Sequence, residues 1–400
     1  MNDTFFQRCE TIIGSGNLDV TKDPPILCPS SEEVLCEIFH CIHVEKQTVH
    51  ILGGNTHPVS MTDTAEIPIS TVSLSAIKEV NRDDFLMVSQ SGAIVDNVVK
   101  EAEKAGLYMP LDITSGDRAT IGGAYMTGAV YPGTAGYGAF HKSVLGVRCC
   151  TADGDIVTFG GRTTKNVTGY DVTRFLAGTM GLYALAVELI LKVTSVPESR
   201  VMAVARFLPG SCPSHVVSVL LSKCREIKRF ELIAERGLNS EIIIGVSFEG
   251  MDVPVHKYAN CAQDILDEAG AESVCMEDYQ PFMTLRRDAA VRMVGPGFYT
   301  ISVPPSSSGV FMERIDKVSS EIPVIAHPQI GRFHLICKNA DQMEQVRESA
   351  RAVGGKLPVA WEHIINKAIA DLFTGPERTL ARSLKRAMDP LGIFNPHIRL

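Results

Sequence analysis

Two kinds of residue in this 400-residue chain have types and spacings that can do chemistry. The first is glycine. Gly53-Gly54-Asn55-Thr56 follows directly on the strand-like Thr48-Val49-His50-Ile51-Leu52, and Thr120-Ile121-Gly122-Gly123-Ala124 lies in a glycine-dense region from Gly116 to Glu188. Backbone amides freed in such loops can cradle a phosphate, and the missing side chains let backbone approach a ligand closely. Neither loop has the G-x-x-x-x-G-K spacing of a P-loop or the G-x-G-x-x-G of a dinucleotide-binding helix start, so a plain tight turn is the other reading. The second kind is a set of imidazoles and a carboxylate: His327 and His334 with six residues between them, and Glu362-His363 further on. Imidazole and carboxylate suit zinc or manganese, and a neutral imidazole is a suitable base. The alternative is two strand histidines satisfied by hydrogen bonds and a Glu-His pair on a helix surface.

Positioning these groups takes an α+β scaffold. Pro25 to Pro29 reads as extended, Ser30-Ser31-Glu32-Glu33 as a capped helix start with an acidic first turn, and Thr48 to Leu52 as the next strand. A strand at Phe85 to Ser89 precedes a helix over Ala93 to Ala105, with Ile94, Val98 and Ala102 on one face. Val144 to Val147 and Leu185 to Val193 read as further strands, and Pro197-Glu198-Ser199 as a linker. Beyond Val201 the glycines thin out and strands alternate with amphipathic helices, which suggests an antiparallel sheet layered with helices. Pro376 to Ala387 reads as a basic amphipathic helix, followed by Asp389-Pro390-Leu391-Gly392-Ile393-Phe394-Asn395-Pro396. The expected organisation is residues 1–197, 198–355 and a C-terminal segment 356–400.

Composition excludes several classes. With 45% hydrophobic and 21% charged residues the chain is globular, and its net charge of −8 argues against nucleic acid or an anionic membrane surface as the main partner. No apolar run reaches transmembrane length and the start resembles no signal peptide, so a cytoplasmic location is expected, with any contact to an inner membrane made through partners. Eleven scattered cysteines without C-x-x-C spacing read as small buried hydrophobes rather than a disulfide framework or metal site. An iron–sulfur relay would have to lie on another chain.

Taken in order, Pro29-Ser30-Ser31-Glu32-Glu33-Val34, Gly53-Gly54-Asn55-Thr56, Ala119-Thr120-Ile121-Gly122-Gly123, Lys165-Asn166-Val167-Thr168-Gly169-Tyr170-Asp171, Gly178-Thr179-Met180-Gly181 and the closing Asp389 to Pro396 segment resemble one family. It is the vanillyl-alcohol-oxidase and p-cresol-methylhydroxylase type of FAD-binding flavoprotein, and within it the flavin subunits of glycolate oxidase and D-lactate dehydrogenase, the short accessory subunit most of all. The resemblance implies a two-subdomain FAD-binding fold with a ferredoxin-like antiparallel cap, and a C-terminal segment, residues 356–400, that returns to the FAD domain. It assigns Gly53, Gly54, Asn55, Thr56, Thr120, Gly122, Gly123, Gly128, Tyr137, Gly138 and Val187 to FAD. Non-covalent binding is implied, since His57 lies two residues beyond the position used for covalent attachment.

For the reaction, the resemblance implies oxidation of a small 2-hydroxy acid. His327, His334 and Glu362 would hold zinc or manganese, His363 would take the hydroxyl proton, and Arg286 or Arg287 would clamp the substrate carboxylate. It also implies a catalytic flavin subunit and an iron–sulfur subunit as partners. The chain departs from the family in places. Pro328-Gln329-Ile330-Gly331-Arg332-Phe333 stands where the family has Ala-Gly-Asp-Gly-Asn-Leu, Met180 takes a glutamate position, and Ile364, Ile365 and Asn366 replace a Gly-x-Gly. Three readings follow: a catalytic dehydrogenase, an accessory flavin subunit with a degenerate site that serves electron transfer or assembly, or a structural or interaction subunit with an empty flavin cleft.

Overall fold

The computed structural model describes residues 3–14, 17–22, 24–56, 66–113, 115–163, 169–209, 211, 213–235, 237, 240–293, 297–359 and 375–398. The chain forms two compact units, one of residues 1–130, 139–196 and 362–400, the other of residues 131–138 and 197–361.

The first unit contains two main sheets. β1 (Leu18–Asp19), β2 (Ile26–Leu27), β3 (Val49–Leu52) and β4 (Ile67–Ser70) make one, in the order β1-β2-β4-β3, with β4 parallel to both of its neighbours. The helix Glu32–Val44 connects β2 to β3. Ser31 caps it in an extended conformation, its hydroxyl accepting from the Val34 amide, and Glu32 and Glu33 sit in the positive first turn. Leu35, Ile38, Phe39 and Ile42 recur at helical spacing and are fully buried. β5 (Ile77–Asn81), β6 (Leu86–Gln90), β8 (Val144–Cys150), β9 (Ile156–Gly160) and β10 (Leu185–Lys192) make an antiparallel sheet in the order β5-β6-β10-β8-β9. β7 (Leu107–Tyr108) and β11 (Thr194–Ser195) pair separately. Cys9, Cys28, Cys149 and Cys150 are buried free thiols, packed as small hydrophobes.

The second unit is built on one eight-stranded antiparallel sheet. Its strands are β12 (Ser199–Phe207), β13 (Arg229–Ala234), β14 (Ile242–Gly250), β15 (Glu272–Met276), β16 (Phe298–Ser302), β17 (Val324–His327), β18 (Arg332–Ile336) and β19 (Lys356–Val359), in the order β15-β12-β14-β13-β17-β18-β16-β19. Both faces are covered, so alternate residues enter different cores. Val201, Ala203 and Ala205 join Leu232, Ile244, Val246, Ala326, Phe333 and Leu335 in a large apolar core that also takes in Val217, Ala259, Phe311 and Val346 from four helices. Met202, Val204, Ile233, Ile243 and Ile325 point the other way, to Phe282, Met283 and Ala289 of the helix Gln280–Arg292. Gly245 is where that helix comes closest, since a Cβ there would lie 2.5 Å from the Phe282 ring.

The last residues complete the first unit. Val49 donates to the Ile393 carbonyl and accepts from the Asn395 amide, so Phe394 runs parallel to β3. The Asn395 side chain accepts from the Ile51 amide at 2.7 Å and donates to the Met180 carbonyl at 2.7 Å. Asp389, buried, accepts from the amides of Ile393 and Phe394 and from the ammonium of Lys385, which also donates to the carbonyls of Leu182 and Phe394. Burial pushes the Lys385 ammonium below its usual range, and the Asp389 carboxylate opposes that push. Removing one partner of such a pair strands the other charge. Asp389→Ala should therefore cost about 3 kcal/mol, read as a lower urea midpoint for the whole chain, whereas Lys104→Ala, at an exposed helical pair, should leave it nearly unchanged.

Candidate functional site

In the first unit the glycine loops meet face to face. Gly53 and Gly54 leave the end of β3, and a Cβ on Gly53 would lie 2.4 Å from the Thr120 hydroxyl, one on Gly54 1.9 Å from the Arg118 carbonyl. Thr120 is the N-cap of the short helix Ile121–Met126 and accepts from the Gly123 amide at 3.1 Å. Gly122 is buried against Ser91, where a Cβ would sit 2.5 Å from the serine side chain, and its amide donates to the Ser91 carbonyl. Gly128, with φ +64°, packs on Gly178, and Gly181 gives room to Asn395 and Ile51. Asn55 adopts φ +48° and is exposed. Val187 is buried, and its carbonyl accepts from Ser91. Tyr137 and Gly138 belong to the second unit, where the Tyr137 hydroxyl donates to Glu249. His57, Lys165 to Thr168, Trp361, Glu362 and His363 lie outside the described residues.

The second unit carries a different kind of site on the sheet face beneath the helix Gln280–Arg292. Because side chains alternate along a strand, the face that takes Ile233 and Ile325 also takes Arg229, Glu231, Glu249, Thr300, His327, Arg332 and His334. Ile325, His334 and Thr300 are cross-strand neighbours, as are His327 and Arg332. The two imidazoles come within 5.7 Å, ring centroid to centroid, edge to face. His334 Nδ1 is 2.9 Å from the Thr300 hydroxyl, and its ring stacks on Phe298. From the helix above, Arg286 reaches Glu231 at 3.5 Å, both side chains fully buried, while Arg287 is half-buried.

Electrostatics distinguishes these residues. Burial holds His327 well below the usual 6.5, with His334, Arg286 and Arg332 pushing the same way, so it is neutral at physiological pH. Its Nδ1 is buried and has no hydrogen-bond partner among the described residues. Burial also lowers the Arg332 guanidinium, and no carboxylate among the described residues pairs with it. A neutral imidazole beside an unpaired guanidinium can accept a proton and hold an anion. The spacing of His327 and His334 was visible in the sequence. The surroundings were not, because Glu231, Thr300 and Arg286 come from three separate elements.

Residues 24–160 match a family model described as an FAD binding domain. The chain is 28% identical over 421 residues to D-2-hydroxyglutarate dehydrogenase of Stutzerimonas stutzeri, covering 93% of this chain and 89% of the relative. It is 24% identical over 363 residues to glycolate oxidase subunit GlcD of Bacillus subtilis, covering 81% and 77%. The structure superposes on p-cresol methylhydroxylase with a TM-score of 0.78 at 13% identity, over 99% of this chain and 96% of that one. The chain has the fold of p-cresol methylhydroxylase, and its residues 24–160 match an FAD binding domain.

The loops fit the cofactor, in that Gly53 and Gly54 bring bare backbone against Gly123 and the Arg118 carbonyl, with the small Thr120 hydroxyl as the side chain between them. Gly54→Ala would drive a methyl into the Arg118 carbonyl. Overpacking of this kind costs about 1–3 kcal/mol, so FAD retention, measured as released flavin per protein after gel filtration, should fall roughly tenfold or more.

The pH response of the second unit follows from His327. In the unfolded chain the residue titrates near the usual 6.5, and in the fold well below it. Between those values only the unfolded chain binds the proton, so the contribution to stability is complete above pH 6.5 and is lost as pH falls. Thermal midpoints recorded from pH 8 down should begin to fall near pH 6.5, and His327→Gln should flatten that slope.

Proposed function

We propose that this chain oxidises a small 2-hydroxy acid, with the sheet face around His327, His334 and Arg332 as the substrate site. The observation that carries the reading is Arg332, a largely buried guanidinium without a carboxylate partner among the described residues, set beside the neutral His327. A buried unpaired cation is costly, and a substrate carboxylate would offset that cost through charge-assisted hydrogen bonds. Arg286 already faces Glu231, so its part is to add positive potential, with Arg287 beside it on the helix. His327 supplies a neutral ring nitrogen for the hydroxyl proton; His334 beside it and His363 are the other candidate bases. Bound FAD supplies the hydride acceptor. The relatives named for glycolate, D-lactate and D-2-hydroxyglutarate share this substrate chemistry.

A divalent ion on His327, His334 and Glu362 is not part of this proposal. Arg286 and Arg332 both act on His327, and two guanidinium groups beside the donor nitrogens oppose a further double charge. The same observation favours a second reading, in which the chain is an accessory flavin subunit that passes electrons to an iron–sulfur partner or supports assembly of a cytoplasmic complex.

Anaerobic mixing with glycolate, D-lactate and D-2-hydroxyglutarate separates the two. A catalytic chain bleaches its flavin with at least one of them, and His334→Ala slows that bleaching by about 10²–10⁴-fold without changing FAD content. Flavin that stays oxidised with all three, but is reduced within a complex purified from the native host, supports the accessory reading. Arg332→Leu gives an independent check. It should raise KM for the acid roughly tenfold or more while leaving the thermal midpoint unchanged or higher, because a costly buried charge has been removed.

A further inference from the structure

The first unit holds a cluster that the flavin and hydroxy-acid chemistry leaves unused. His50 lies in the middle of β3, Glu66 immediately precedes β4, and His397 follows the Asn395-Pro396 turn at the end of the returning segment. All three side chains are more than nine-tenths buried. Glu66 accepts from the His397 amide at 3.0 Å through Oε1, and its Oε2 lies 2.6 Å from His397 Nδ1 and 3.9 Å from His50 Nδ1. The imidazoles stack at 4.5 Å with 22° between their planes. One ligand atom from each residue falls within 4.8 Å of those of the others.

We propose that His50, Glu66 and His397 form a binding site for a zinc-type divalent ion that fastens the C-terminal segment to β3 and β4. Two imidazole nitrogens and one carboxylate oxygen are a common donor set for such ions, with water completing the coordination. The decisive detail is His50 Nδ1, a buried nitrogen on Glu66 with no hydrogen-bond partner among the described residues. Leaving a polar atom in that condition is unfavourable, and a cation shared with Glu66 and His397 relieves it. Burial and the adjacent His397 take His50 down to about 4, so its ring is neutral and ready to donate a lone pair at physiological pH. Stacked rings would repel if both carried protons, whereas one ion between them balances the Glu66 charge. The competing occupant is a single proton shared by His397 and Glu66.

The inference is independent of the hydroxy-acid reading and can be tested on the FAD-loaded, full-length chain. After dialysis against a chelator, Zn²⁺ is titrated by calorimetry and Co²⁺ by its visible absorption. The expected result is one tight equivalent with a rise of several degrees in thermal midpoint, lost in Glu66→Gln and His50→Asn and kept in His334→Gln. Glu66→Gln retains hydrogen-bonding atoms beside His397, so it keeps the test decisive if His50→Asn fails to fold. Absence of Zn²⁺ binding with Kd below about 10 μM, which is weaker than structural zinc sites, overturns the proposal. Binding unchanged in folded Glu66→Gln overturns it equally, and loss of the equivalent in His334→Gln would place the ion in the second unit instead.

Discussion

The first unit depends on a two-sided hydrogen bond made by one amide side chain. Asn395 accepts from Ile51 and donates to Met180, joining β3 to the Gly178-Thr179-Met180-Gly181 turn. Both ends of that link are unusual backbone: Asn395 and Met180 have φ of +45° and +53°, a region costly for residues other than glycine. The cost is met by the Asp389 carboxylate, which fixes the two preceding amides and holds a buried ammonium in place. β3 ends one residue before Gly53, so the position of the first glycine loop follows from this anchoring.

The second unit is organised by a sheet whose two faces differ in kind. One is apolar throughout, from Val201 to Leu335, and could fold as any α+β core does. The other interleaves Ile233, Ile325 and Phe282 with Arg229, Glu231, Glu249, Arg286 and the two histidines. Two ion pairs, Arg286 with Glu231 and Arg229 with Glu249, neutralise most of this charge. Stability alone would be served better by hydrocarbon there. The face carries its positive excess at Arg332, which no carboxylate among the described residues offsets.

Much of this could be read from the chain beforehand, and the physical reason is locality. Ser31 with its acidic first turn, the buried Leu35 to Ile42 stripe and the alternating strands from Val201 onward are signals carried within one or two turns of the backbone. Strands of two residues, such as Leu18–Asp19 and Leu107–Tyr108, leave no periodic trace. Ile67–Ser70 is an inner strand despite Pro68, a residue that ordinarily argues against one. Gly122 also packs on Ser91, a contact between distant residues that spacing alone does not express. His50, Glu66 and His397 were invisible as a group, since 331 residues separate Glu66 from His397 and the return of the Phe394–Asn395 segment alongside β3 brings them together.

The division of the chain between the two units bears on its synthesis. Residues 197–361 form nearly all of one unit and leave the ribosome together, whereas the other unit needs its first residues and those beyond 362. A chain emerging from its N-terminus exposes β3 before Phe394 exists to pair with it. The unit with the glycine loops is therefore begun before residues 197–361 and completed after them, and a nascent chain must keep its Val49 edge from other strands until Phe394 is made. Closure of that unit and synthesis of the residues around Phe394 become coupled events.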